Sequence, residues 1–243
     1  MKNNARRISI LDAPSNLGLK PPAEGKEPGV KQMAQAIRSR GLLRRLGAVD
    51  AGTVEAPAYH GSLDLHLGIR NADGLAVFAK AITGGAAGMD LALVTGTGPE
   101  LLTNIEGKKP YVRPEDTVLF GYRWPESEAN ARPSNPMKSF PLDATRADGI
   151  ASTAAEAVNY LESAPTLGFW LHLDVDVLSP EWMFAVDSPD PGGLTPEELA
   201  TLLKTVNRSK RCAGMQITIY DPTLDPDGVC GNRIVETLVL AFA

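Results

Sequence analysis

The sequence holds little from which a metal or redox centre is ordinarily built. Its 243 residues include two cysteines and three histidines. Cys212 and Cys230 make neither a CxxC pair nor a zinc set, and buried thiols are expected rather than a disulfide, which the count alone still permits. His60 and His66 lack helical i, i+4 spacing, and no glutamate stands in an HExxH arrangement. An excess of basic residues is also missing. The net charge is −5, so neither nucleic acid nor an anionic membrane is an expected partner. No apolar run approaches membrane-spanning length. The basic residues 1–7 precede too short an apolar stretch for a signal peptide, so a cytoplasmic location is expected. The glycines of residues 83–88 invite a phosphate-loop reading, but no GKS/T follows and no GxGxxG opens a helix, which excludes a nucleotide site.

Hydrophobic residues make up 43% of the chain, enough for a real core. The length allows one large α/β domain or two small ones. No repeat or linker divides it. Alternating helix and strand patterns predict one parallel-sheet domain over residues 1–243.

The densest stretch is residues 167–194. Leu167-Gly168-Phe169-Trp170-Leu171-His172-Leu173 is apolar apart from His172 and runs into Asp174-Val175-Asp176. This predicts a strand covered on both faces that ends in acids. In an extended chain Asp174 and Asp176 share a face, about 7 Å apart. Two carboxylates that close are tolerated if a cation lies between them or if one keeps its proton. A hard divalent cation is the simplest occupant.

Around this stretch, strands are predicted at residues 7–11, 49–54, 117–120 and 212–220. Helices are predicted at residues 30–46, 71–82, 153–161 and 234–242. Residues 125–141 read as irregular. Thr195-Pro196-Glu197-Glu198 is a strong helix start, with Thr195 as cap, proline at the first helical position and Glu198 answering the cap. Thr153 to Glu156 carries the same spacing. After the first strand, Asp12 and Asn16 are candidate lining residues for a ligand, or ordinary loop residues.

The run His172-Leu173-Asp174-Val175-Asp176-Val177-Leu178-Ser179-Pro180, followed by Pro191-Gly192-Gly193-Leu194-Thr195, resembles the arginase/agmatinase family of ureohydrolases, whose pattern here is close to DxDxxDP…GGL. Arg113-Pro114-Glu115-Asp116-Thr117-Val118-Leu119 resembles the family's RPEDVVL strand entry. Residues 8–16 and 214–222 resemble its first and penultimate strand regions. The resemblance implies a three-layer α-β-α fold with a mostly parallel central sheet. It also implies a pair of Mn²⁺ ions that hydrolyse guanidino or amidino C–N bonds, with Asp174 and Asp176 as metal ligands. His172, on the same strand face by parity, is either an orienting group for a carboxylate or a hydrogen-bonded sheet residue.

The departures from the family carry as much weight. The GGDHS-type and DAHxD-type segments, which supply most of the metal ligands, do not occur. Residues resembling the pieces on either side of them abut near residues 82–83, as though a β-α-β portion of the sheet had been deleted. The position of the usual substrate-loop histidine corresponds to Ala87. Gln216, Thr218 and Tyr220 stand where an acid commonly anchors the substrate guanidinium. Three readings follow. One is a pseudoenzyme with an incomplete metal site. Another is a working hydrolase of a small guanidino or amidino compound with atypical ligands such as His60, Asp64, His66 or Asp90. The last is a non-catalytic subunit that forms homo-oligomers or associates with a full-length relative.

Overall fold

The computed structural model describes residues 7–65, 69–71, 90–123 and 137–243. The fold is three-layer α/β with a mostly parallel central sheet. Strand β1 (Ser9–Asp12) pairs in parallel with β2 (Val49–Thr53). A short antiparallel pair follows, β3 (Leu63–Asp64) with β4 (Ile69–Arg70). Two further parallel pairs are β5 (Val118–Phe120) with β6 (Lys138–Phe140), and β7 (Phe169–Asp174) with β8 (Cys212–Thr218). Among the described residues these pairs are not hydrogen-bonded to one another.

The helices are α1 (Met33–Ser39), α2 (Leu42–Leu46), α3 (Asp90–Val94), α4 (Glu100–Thr103), α5 (Leu142–Asp148), α6 (Ile150–Ser163), α7 (Pro196–Asn207) and α8 (Val229–Phe242). The single helix expected over residues 30–46 is broken in two. Gly41 takes a φ of 78°, a left-handed conformation that ends α1 and admits α2. Helix α6 begins at Ile150, not Thr153; the Thr153 hydroxyl donates back to the Gly149 carbonyl at 3.0 Å instead of capping. Strand β6 lies within the stretch read as irregular. The expected helix over residues 71–82 falls outside the described residues except for Asn71, and so does the glycine-rich piece 83–88.

The core gathers around α7 and α8, which pack on each other beside β7 and β8. Thr195 and Glu198 close the predicted capping box. The Glu198 N–H donates to Thr195 Oγ1 at 3.2 Å, and the Thr195 N–H donates to Glu198 Oε2 at 2.9 Å. The apolar stripe Leu199, Leu202, Leu203 and Val206 is buried. Each such side chain contributes about 1.5–3 kcal/mol when removed from water. Helix α8 starts five residues before the predicted Ile234 because Asp225 prepares its first turn. The buried Asp225 carboxylate accepts from the Cys230 and Gly231 N–H groups at 3.2 and 2.9 Å and from the Tyr220 hydroxyl at 2.8 Å. Burial and the neighbouring Asp225 push the Tyr220 hydroxyl's pKa well up.

The amino-terminal segment meets this core through Leu19, Val30, Ile37 and Leu42, with Ile10 of β1 packed against it, and polar ties reinforce that contact. Arg38 on α1 donates from Nε to Asp12 at 2.8 Å and from Nη2 to Asp50 at 3.0 Å. Asn16 is buried and donates to the Pro28 carbonyl at 3.1 Å. Gly29 donates its N–H to Asp221 at 2.8 Å. Asp12 and Asn16 therefore hold the framework together.

Candidate functional site

The carboxyl end of β7 carries the two acids singled out by sequence. The extended backbone stops at Asp174, and Val175–Val177 turns into a single 3-10 turn. Asp174 is the cap of that turn, with its Oδ1 accepting a long hydrogen bond, 3.4 Å, from the Asp176 N–H. The parity argument thus ends at Asp174: Asp176 stands on a turn, not on the strand face that Asp174 occupies. The aspartate side chain offers the backbone a local acceptor, which competes with continued extension.

The strand is not covered on both faces. Leu173 is buried, whereas Trp170 is 59% exposed and His172 is exposed on the opposite face. The Trp170 ring lies across β8 at Gly214, where an added Cβ would meet Cζ3 at 2.3 Å. His172 pairs in register with Gln216; its Nδ1 sits against Gln216 Nε2 and its Nε2 lies 3.5 Å from Thr218 Oγ1. Those contacts place it in the cross-strand network of β7 and β8.

The residue that gathers this end of the sheet is Arg123, which the sequence reading passed over. It follows β5 by way of Gly121, whose φ is 76°. The Arg123 guanidinium donates from Nη1 to the Val177 carbonyl at 3.1 Å, and from Nη2 to the carbonyls of Asp176 and Asp190 at 3.0 and 3.2 Å. Its Nε lies 3.5 Å from Asp190 Oδ2 and is buried with no hydrogen-bond partner among the described residues. An arginine just past the end of a parallel strand was the available signal, since ligand sites in such sheets form there.

The loop of residues 187–193 is closed from its far side by Arg146 of α5. Its Nη2 donates to the Gly193 carbonyl at 2.8 Å, and its Nε and Nη2 grip both Glu198 oxygens at 2.9 and 2.8 Å. The Arg146 guanidinium is the main reason the Glu198 carboxyl is held below the usual glutamate range; burial opposes it, and the Thr195 N–H assists. Gly193 is required by a close approach, because a Cβ there would lie 2.3 Å from the Leu178 carbonyl carbon. Beyond it Leu194 bridges to Leu178, with the Leu194 N–H donating to the Val177 carbonyl at 2.8 Å.

Among the described residues, no group of three or more His, Cys, Asp or Glu side chains is placed to hold a metal ion. His60, exposed beside Ser62 before β3, joins no such group, and His66 lies outside the described residues. Ala87, the substrate-loop position in the resemblance, is also outside them. Both cysteines are free thiols.

The sequence model of the arginase family matches residues 102–242, which contain β5 to β8, the Asp174–Asp176 turn and the Gly192-Gly193 loop. The chain belongs to the arginase family. The arginase of Bacillus subtilis is 28% identical to it over 155 residues, 63% of this chain and 52% of that protein. The chain spans about half the length of the curated relatives it matches. Among solved structures, Bacillus cereus arginase superposes with a TM-score of 0.81 at 20% identity, covering 98% of this chain and 99% of that one. Bacillus caldovelox arginase gives 0.79 at 23% identity, covering 98% of each chain. At these identities the superpositions establish the arginase fold. The described residues do not fit the two-metal centre that the family resemblance implies. Such a centre needs a ligand cage that places two ions together, and two acids, one on a strand end and one on a turn, do not form it.

Proposed function

We propose that this chain is a pseudoenzyme of the arginase family, without efficient hydrolysis of guanidino or amidino C–N bonds. The carrying observation is that, among the described residues, no group of three or more His, Cys, Asp or Glu side chains is placed to hold a metal ion. Two carboxylates hold a Mn²⁺ ion loosely, with water completing the shell, whereas hydrolytic catalysis needs groups placed to about 0.5 Å. In this reading the protein works as a cytoplasmic binding subunit that forms homo-oligomers or associates with a full-length relative. Loss of a β-α-β portion near residues 82–83 accounts for the missing ligand segments.

The test is metal stoichiometry and urea release from freshly purified protein after Mn²⁺ loading and desalting, with Asp176→Asn in parallel. The expected result is at most one weakly held ion and no urea from arginine, agmatine or guanidinobutyrate. Two tightly held ions that the variant loses, accompanied by turnover, would overturn the proposal. The search for ligands would then move to His60, Asp64, His66 and Asp90.

A further inference from the structure

The carbonyls of Asp176, Val177 and Asp190 converge from two separate stretches of chain, with the Asp190 carboxylate beside them. Converging oxygens of this kind suit a cation. Here the cation is a side chain: Arg123 is 18% exposed and reaches all three carbonyls with one fork. The approach is tight. A Cβ on Gly121 would stand 3.1 Å from Val177 Cγ2, and one on Gly192 would stand 3.9 Å from Arg123 Cδ. The Val177 carbonyl also accepts the Leu194 N–H, so the fork joins the acid-bearing turn to the loop that leads into α7.

We propose that Arg123 is an internal cation that organises the carboxyl end of β7, so that residues 175–194 keep their order with no metal bound. The inference rests on the reading that no two-metal centre assembles here, and it goes further by assigning the organising role to a named group. Arg123 is a positioning residue in this scheme, since it acts on the turn and loop through their backbone carbonyls. Hydrogen bonds from a charged donor to carbonyls are stronger than neutral ones, and a single guanidinium here reaches all three oxygens.

Hydrogen exchange of the intact protein, read by mass spectrometry over residues 175–194, tests it in EDTA and in MnCl₂. For the native chain, exchange in this segment should agree within about twofold between the two conditions, and Arg123→Gln should accelerate it about tenfold or more, the loss of one charge-assisted bond. Helices α7 and α8 should keep their protection and so report an intact fold. If Arg123→Gln loses protection everywhere, Arg123→Lys decides, because it keeps the charge without the fork. Acceleration confined to 175–194 supports the proposal. Unchanged exchange in the variant overturns it, and so does a segment that loosens in EDTA or tightens in MnCl₂. Two bound Mn²⁺ ions would sink the pseudoenzyme reading. Unchanged exchange in Arg123→Gln with no metal bound would sink the Arg123 assignment alone.

Discussion

The β7–β8 pair and the β1–β2 pair are built to the same plan and held in different ways. Both are parallel, and both pack near α8 through intervening helices. Around β7 and β8 the ties are apolar: Leu173, Val175, Leu203, Val235 and Leu238 are buried together. Around β1 and β2 a thinner apolar contact is supplemented by polar ties. Every residue of β2 is exposed and Leu11 is 54% exposed; the core is met by Ile10 of β1 and by Ile37 and Leu42 of the neighbouring helices, and hydrogen bonds of Arg38, Asn16 and the Asp221 carboxylate add to that contact. An apolar core tolerates no vacancy, whereas a polar tie fails one bond at a time. The same strand geometry should therefore respond to substitution on two different scales.

The largest effect is expected at Leu203, which is fully buried in the centre of α7. Leu203→Ala should cost about 2–5 kcal/mol in chemical denaturation. A loss below about 1 kcal/mol would show that the α7–α8 interface relaxes freely and would undo the contrast. Next comes Asp221, buried, which accepts from the Gly29 N–H and from the Thr223 N–H and hydroxyl. Asp221→Ala leaves those donors unpaired and should cost about 1–3 kcal/mol. Limited proteolysis should then cut first within residues 13–32, and a cut elsewhere would mean that this tie does not hold the amino-terminal arm.

A smaller effect belongs to Arg146 and Glu198. The folded Glu198 carboxyl titrates below its unfolded value, so the pair's stabilisation is present above the ordinary glutamate range and is lost as pH falls through the folded value. Both partners are partly exposed, with side chains 37% and 25% accessible, so the contribution should stay below about 1 kcal/mol. Thermal unfolding between neutral pH and pH 3 should show a shallower decline in Arg146→Met than in the native chain; equal slopes would remove this pair from the account. The smallest effect is expected at the open face of β1, where Leu11→Thr should change stability by no more than about 0.5 kcal/mol. A large loss there would reveal an apolar dependence that the contrast denies.

The carboxyl-terminal unit was largely legible in the sequence because its signals are local. Thr195-Pro196 with Glu198, the stripe from Leu199 to Val206, and the alternation Met215, Ile217 all act within a few residues of one another. The Asp174–Asp176 pair was legible as two neighbouring acids at a strand end but misplaced as geometry. Alternation along a strand assumes that the strand continues, and the Asp174 side chain ends it by accepting the Asp176 N–H. Helix α8 was predicted short because the carboxylate that prepares its first turn, Asp225, lies ahead of the apolar pattern. Arg123 was legible only by its place just past a predicted parallel strand, and its partners were not. Its partners are backbone carbonyls 53, 54 and 67 residues away, and no residue type marks a carbonyl. The break at Gly41 could have been found, since a glycine in the middle of a weak helical pattern is a frequent stop.

The bond from Gly29 to Asp221 spans 192 residues of chain. In a polypeptide made from its amino terminus, β1, α1 and β2 emerge long before the carboxylate and the α8 surface that anchor them exist. They must wait for that anchor, while β7, α7 and β8 assemble among themselves through a single crossover. The amino-terminal arm is thus secured only after the chain that follows it has folded.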